Sequence, residues 1–140
     1  MMRFLKALQR DERGGAAIEF AIAVVALIMM IYGIFRIGLL FQANAGMQHA
    51  LGEGARYATL CINPTATTGC SKPTDAQITT LMNSRLFGDG YGSFTVQPIA
   101  SNTATFTKTL TINYTTPMDF LFVPGPNVTV SRSKTVYVAS

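Results

Sequence analysis

The chain has few of the residues that build metal centres and hydrolytic active sites. Its 140 residues include one histidine, His49, and two cysteines, and 13% of the residues are charged. One histidine and two cysteines do not supply a zinc ligand cluster. No nucleophile motif, phosphate-binding loop or metal-ligand spacing is present, although residues 88–92 are glycine-rich. The sequence therefore predicts no enzyme, no metal and no cofactor.

Basic residues outnumber acidic residues by 11 to 7, but their positions account for the excess. Four of them lie in the first thirteen positions: Arg3, Lys6, Arg10 and Arg13. The other charges are scattered singly, without a basic stripe or interleaved aromatic residues. The charge pattern therefore does not predict nucleic-acid binding.

A long apolar run follows the basic N-terminal segment. From Ala16 to Phe41 the only charged residues are Glu19 and Arg36. At about 1.5 Å per residue, this length is enough for one helix to cross about 30 Å of hydrocarbon. Because basic residues precede the run, we expect a cytoplasmic N-terminus and export of the remainder.

Helical periodicity continues beyond the apolar run. Apolar residues recur at spacings of three and four, which predicts an amphipathic helix to about Thr59. They are Leu40, Ala43, Met47, Leu51, Ala55 and Ala58. Small residues on the same helix permit close approach of another backbone, from its own domain or from a neighbouring subunit. They are Ala45, Gly46, Ala50, Gly52, Gly54 and Ala55.

Cys61 and Cys70 enclose a short loop directly after this helix. In an oxidising compartment the pair predicts a disulfide that staples the helix exit to the following domain. Two unrelated buried thiols are the alternative.

The C-terminal half has a short helical pattern followed by strand patterns. Thr74 and Gln77 predict a capping box, and Gly88 is a plausible end of the short helix. Alternating residues then predict at least three strands. These are near 94–96, 106–114 and 128–138. A proline-bounded apolar loop at 116–126 is expected to close the bottom of the domain, and an exposed apolar binding surface is the alternative. We expect an α+β fold in which an antiparallel sheet of about three strands packs its apolar face against a helix.

The segment from Gly14 to Phe20 resembles the processing site of type IV pilin-like proteins, in particular the tight-adherence (Tad, or Flp) branch. Cleavage after Gly14 makes Gly15 the new N-terminus, Glu19 the fifth residue and Phe20 the sixth, as in that branch. Cleavage after Gly15 puts Glu19 one position out of pattern. Together with residues 54–58 and the two-cysteine, helix-then-strand region, these features resemble the TadE-like minor pilins. TadF and short TadG-like chains share this layout.

The resemblance implies a single-pass protein of the bacterial inner membrane. Its parts are a cytoplasmic leader at 1–14, a transmembrane and amphipathic helix at 15–60 and a disulfide-stapled periplasmic head at 61–140. The implied partners are a prepilin peptidase, the inner-membrane assembly platform and other pilins (Flp, TadF-like and TadG-like). The implied function is to assist initiation and assembly of an extracellular pilus used for surface adhesion.

Glu19 and Phe20 are the residues for which the resemblance implies a role in assembly. A carboxylate near the centre of a membrane helix costs up to roughly 3 kcal/mol. The Gly15 ammonium of a neighbouring subunit would offset this cost, since two charges about 4 Å apart attract by about 4 kcal/mol at an effective dielectric of 20. The alternative is that Glu19 snorkels to the lipid headgroups. Arg36 lies about 26 Å further along the helix, where snorkelling beside Tyr32 is expected.

A signal-peptidase site is a further alternative. Ala43 and Ala45, followed by Gly46, have the small-x-small form of such a site, and cleavage there would release a soluble domain. The apolar region is too long for an ordinary signal peptide, however, and it carries Arg36 before the site. An unprocessed membrane anchor is the third possibility for the mature N-terminus.

Overall fold

The computed structural model describes residues 13–61, 63–65, 69–119 and 124–138. Within these ranges it contains two helices and six strands, in the α+β arrangement expected. In chain order they are α1 (Arg13–Thr59), β1 (Asn63–Thr65), β2 (Gly69–Ser71), α2 (Asp75–Arg85), β3 (Ser93–Val96), β4 (Ala100–Asn102), β5 (Thr107–Pro117) and β6 (Asn127–Tyr137).

The main sheet is built around β5. Along one edge β5 pairs antiparallel with β6 over its whole length, from Thr107 opposite Tyr137 to Pro117 opposite Asn127. Along the other edge it pairs first with β4 and then with β3. Just beyond the end of β3, the Gln97 amide donates to the Thr111 carbonyl of β5 at 2.9 Å. β3 and β4 therefore form one interrupted edge of a four-stranded antiparallel sheet.

The three strands expected from alternation are present, and the sequence did not reveal the other three. β4 consists of Ala-Ser-Asn, all exposed, so it has no apolar alternation to detect. β1 and β2 form a separate hairpin that overlaps the cysteine loop and includes Cys70, where proline and glycine weaken any strand signal.

The core lies between the C-terminal half of α1 and the inner face of the sheet. Every second residue of β5 from Leu110 onward is buried: Leu110, Ile112, Tyr114 and Thr116. α1 contributes the buried residues Ala43, Met47, Ala50, Leu51, Ala55 and Ala58, and α2 contributes Ile78 and Met82. The amphipathic helix predicted to end at about Thr59 is therefore confirmed, and its apolar stripe is the centre of the head.

The start of α2 follows the sequence prediction. The Thr74 hydroxyl accepts from the Gln77 amide at 3.3 Å, and the Gln77 side chain accepts from the Thr74 amide at 2.9 Å. The end of α2 is different from the expectation. The helix ends at Arg85 and Leu86 is already extended, so Gly88 lies beyond its C-terminal cap.

The outer face of the sheet carries hydroxyl and amide side chains. Thr109 bonds Thr135 and Thr115 bonds Thr129, each at 3.0 Å between hydroxyl oxygens. In the antiparallel register, the residues that share this face on β5 and β6 are uncharged. This face is therefore polar and rich in threonine.

Candidate functional site

The N-terminal half of α1 extends away from the head and is exposed. We call residues 14–35 the anchor half of α1, and residues 40–59, which carry the head, the head half. An 18-residue window within α1 has a mean hydropathy of 2.5, and none of it is buried. Its length and composition are sufficient to span a membrane, because about 20 apolar residues cross the hydrocarbon. An exposed apolar surface of this size marks a contact with a membrane or another protein.

The predicted leader junction lies on the first turn of α1. Gly14 and Gly15 are exposed, and apart from the adjacent residues and the nearby backbone of the same helix, no described atom lies within 4 Å of the position a side chain would take at either residue. The junction is therefore open to an enzyme on the described side. Residues 1–12 of the predicted leader lie outside the described residues, so cleavage stays a prediction.

Glu19 is exposed on the anchor half, and the neighbouring Phe20 is 70% exposed. Within the described residues, Glu19 makes no hydrogen bond and no ion pair. The nearest basic residue after it on α1 is Arg36, about 26 Å away at 1.5 Å per residue. In the described part of the chain, Glu19 therefore has no partner that would offset its charge in hydrocarbon.

Arg36 lies where the anchor half meets the head, and it is held by two tyrosines. Its Nε donates to the Tyr32 hydroxyl at 2.9 Å. The guanidinium carbon lies 5.3 Å from the centroid of the Tyr32 ring and 4.3 Å from that of Tyr91. Each such cation–π contact is worth about 0.5–1 kcal/mol at an exposed site. Tyr32 was the expected companion, whereas Tyr91 comes from the head and was not expected.

Residues 87–91, which we call the strap, lie between α2 and β3 and pack against α1. The strap runs along α1 towards the anchor half. Its successive contacts on α1 lie about one helical turn apart. The contacts are Phe87 with Gly46, Gly88 with Ala43, Gly90 with Leu39 and Tyr91 with Arg36. The glycine-rich loop therefore packs against a helix, which accounts for its composition.

Two glycines make this close packing feasible. A side chain at Gly46 would collide with the backbone carbonyl of Phe87, which cannot move as a side chain can. Gly88 has φ +85, a conformation that other residues rarely adopt, and it lies against the α1 backbone at Ala43. His49 also packs here, edge-on to Phe87 with ring centroids 5.8 Å apart, so its role in the described structure is a packing one.

The small residues of α1 divide into two groups. Gly46 contacts the strap, and Gly54 contacts the Met82 side chain, so both serve the molecule's own packing. At Gly52, apart from the adjacent residues and the nearby α1 backbone, no described atom lies within 4 Å of the position a side chain would take, and Ala45 is exposed. Packing within the head therefore accounts for the small residues at Gly46 and Gly54, but not for those at Gly52 and Ala45.

The bottom of the head is closed by the two ends of the loop between β5 and β6. The Met118 amide donates to the Pro126 carbonyl at 3.1 Å, and the Gly125 amide donates to the Asp119 carboxylate at 3.2 Å. A cavity of about 160 Å³ lies beside these residues and is lined by Gly33, Arg36, Ile37, Met118 and Asp119. Residues 120–123 of the expected plug lie outside the described residues.

The predicted disulfide lies only partly within the described residues. Cys61 is exposed two residues after α1 ends, and the hairpin pairs Ser71 with Asn63. This pairing returns the chain from Cys70 to the neighbourhood of Cys61. The side chain of Cys70 lies outside the described side chains, so the bridge stays a prediction.

The described residues contain no group of three or more histidine, cysteine, aspartate or glutamate side chains that could hold a metal ion. The one described ion pair joins Lys108 of β5 to Asp75 at the start of α2. Because this ion pair links α2 to the sheet, we interpret it as a structural contact.

Comparison with known protein families gives a match over part of the chain. Residues 14–56 match the family described as TadE-like protein, a segment that begins at the predicted leader junction and includes Glu19 and Arg36. Searches of curated proteins and of solved structures found no match. The predicted resemblance to TadE-like proteins is therefore confirmed over this segment, which covers most of α1.

Proposed function

We propose that the chain is a minor pilin of the Tad (Flp) pilus, and that Glu19 docks its anchor half into the pilus or its initiating complex. The observation that carries this proposal is the anchor half itself. It is apolar and exposed, and its one carboxylate has no partner among the described residues. The TadE-like match over the same residues supports a place in the Tad pilus system.

Processing by a prepilin peptidase would supply the missing partner. Cleavage after Gly14 removes four basic and two acidic residues, lowers the formal charge from +4 to +2 and creates an ammonium group at Gly15. That group on one subunit attracts Glu19 on the next by about 4 kcal/mol at a separation of about 4 Å and an effective dielectric of 20. The pairing would set the axial step between neighbouring subunits.

The direction of insertion follows from the charges before α1. Basic residues stay on the cytoplasmic side, so the head would lie in the periplasm and face the assembly platform, Flp, and the TadF-like and TadG-like pilins. In that compartment Cys61 and Cys70 would be oxidised. A head of this size suits a component that initiates or regulates the pilus and supports adhesion.

Release by a signal peptidase fits the fold poorly. The bond between Ala45 and Gly46 lies inside an unbroken helix, Ala43 is fully buried, and Gly46 packs against the strap. Cleavage there would separate Ala43 from the core that the same helix builds. The buried part of α1 therefore favours a chain that keeps its anchor.

The mature N-terminus tests the proposal directly. The protein is purified from its native host, and its N-terminus is read by mass spectrometry. An N-terminus at Gly15 is the expected result. One at Gly46 would indicate a secreted domain, and one at Met1 an unprocessed anchor, and either would contradict the proposal. A host that lacks its prepilin peptidase provides the control, because the uncleaved chain should accumulate there.

A further inference from the structure

The guanidinium of Arg36 is oriented by its neighbours but has unused donors. It has five N–H groups, and the one on Nε is bonded to Tyr32. Within the described residues, no other hydrogen bond or ion pair is made by this side chain. Two aromatic rings lie against the guanidinium, which restricts the directions in which the remaining N–H groups can point. A planar fork of this kind binds phosphate through two parallel hydrogen bonds.

The position of Arg36 along α1 determines which phosphate it would meet. Residues 15–35 span about 31 Å as a helix, which is close to the thickness of the hydrocarbon core. If that stretch crosses the membrane, Arg36 lies in the headgroup layer on the side of the head. Tyr32 and Tyr91 then lie at the membrane–water interface, where tyrosine is enriched in membrane proteins.

We propose that Arg36, held by Tyr32 and Tyr91, binds the phosphate of an anionic phospholipid in the leaflet on the side of the head. This rests on the proposed function only in requiring that α1 spans a membrane. A phosphatidylglycerol phosphate is favoured over that of phosphatidylethanolamine, because the ammonium group of the latter competes for the same phosphate. The glycerol backbone would reach the cavity at Gly33 and Ile37, which continues the apolar surface of the anchor half.

Asp119 is an acidic residue beside this site, since it lines the same cavity as Arg36. Its carboxylate already accepts from the Gly125 amide, which commits it to the loop at the bottom of the head. Its negative charge opposes an anionic ligand. Neutralising Asp119 while keeping an acceptor for Gly125 is therefore expected to strengthen lipid binding.

Lipid binding at this site would couple the membrane to the position of the head. Tyr91 is the last residue of the strap, and it reaches Arg36 only while the strap lies along α1. A phosphate that fixes the guanidinium therefore also favours the docked strap. Transfer of the anchor half from the bilayer into a pilus would remove this lipid.

Native mass spectrometry of the full chain tests the proposal. The protein is reconstituted in nanodiscs that contain equal amounts of phosphatidylglycerol and phosphatidylethanolamine, and the lipids retained after release are counted. We expect one phosphatidylglycerol per chain and about a fivefold drop in its retention for Arg36→Gln. Arg56→Gln is the matched control, since Arg56 is an exposed arginine near the other end of the head half. Equal retention by the two variants would overturn the proposal.

Two further variants separate the guanidinium from its charge. Arg36→Lys keeps the charge but lacks the planar fork, so it should retain less than half as much phosphatidylglycerol as the unaltered chain. Retention at the unaltered level would overturn the role of the fork. Asp119→Asn should retain more lipid, and a loss as large as that of Arg36→Gln would contradict the assignment of Asp119 as a repelling group.

A fluorescence measurement covers the case in which Arg36→Gln fails to fold. The chain has no tryptophan, so Tyr91→Trp introduces a single reporter that preserves an aromatic face over Arg36. Its emission should be quenched by phosphatidylglycerol that carries a quencher on its acyl chain more than by phosphatidylethanolamine labelled in the same way, which keeps its ammonium group, and equal quenching would overturn the preference. A chain that fails to insert into bilayers would defeat the membrane-spanning part of the proposed function. A chain that inserts without retaining the lipid would defeat this inference alone.

Discussion

The two halves of α1 belong to one helix but meet opposite surroundings. The head half buries small residues and Met47 against its own sheet and second helix. The anchor half is lined by large side chains such as Ile22 and Phe35, and they are exposed. Since both halves continue the same backbone hydrogen-bond pattern, the difference lies in what each half packs against. The head half is complete within one chain, whereas the anchor half needs a membrane or a neighbouring subunit.

The largest expected effect concerns the charge on the anchor half. Glu19→Gln keeps the size of the side chain but removes the attraction to a Gly15 ammonium, so we expect at least about a tenfold loss of pili. Glu53→Gln on the head half is the matched control and should leave pilus number unchanged. Pili are counted by electron microscopy, with immunoblots to verify equal protein levels. Normal pilus number in Glu19→Gln at normal abundance would contradict docking through this residue.

Two methionines on α1 compare the halves directly. Met47 is fully buried, whereas Met29 is 47% exposed on the anchor half. Met47→Ala should lower the free energy of unfolding of the head by about 2–5 kcal/mol, because it leaves a cavity in the core. Met29→Ala should change it by less than about 0.5 kcal/mol. The free energy of unfolding of each variant is measured by chemical denaturation of the full chain in detergent, with the loss of tertiary structure as the monitored signal. Equal effects would mean that the head also depends on packing within the anchor half.

Two glycines of the head half test the strap. Gly46→Ala places a methyl group against the Phe87 carbonyl and should destabilise the head by about 1–3 kcal/mol. At Gly52 there is open space among the described atoms, so Gly52→Ala should stabilise the helix by up to about 1 kcal/mol. The same denaturation experiment measures the change in the free energy of unfolding for each variant, and the two changes should have opposite signs. If both variants were stabilised, the strap would not lie against α1 as described.

The smallest expected effect concerns the link between the strap and the sheet. The buried Tyr114 hydroxyl donates to the Asp89 carbonyl at 3.1 Å, and the loss of this bond in Tyr114→Phe should cost about 1 kcal/mol. Tyr137→Phe is the control, because Tyr137 is 78% exposed. Thermal unfolding should separate the two variants by several degrees, and the same melting temperature would show that this bond adds nothing to the head.

Local patterns made the long helix, the capping box and the three main strands predictable. The stripe at Ala43, Met47 and Leu51 has helical spacing, and the exchange between Thr74 and Gln77 is local in sequence. Contacts between distant segments were not predictable in this way. Tyr91 lies 55 residues after Arg36 and reaches it only because the strap follows α1. The glycine composition of the strap predicts a loop, and only the fold shows which surface the loop approaches.

The candidate site was predictable to a similar extent. Glu19 and the Gly14–Gly15 junction stand out in sequence because a charge and two small residues mark the start of an apolar helix. Tyr32 follows from its spacing of four residues from Arg36, which puts both on one helical face. The position of Asp119 and the cavity beside Gly33 depend on how the β5–β6 loop packs against α1. No sequence pattern predicts this contact between distant segments.

The unbroken 47-residue α1 has a mechanical consequence. One helix about 70 Å long carries the exposed apolar anchor half and forms the centre of the head, with no proline between the two parts. A rotation or axial displacement imposed at Glu19 is therefore transmitted along the shaft to the sheet without being absorbed on the way. A force that moves the anchor half along the helix axis by a fixed distance would move the head by the same distance.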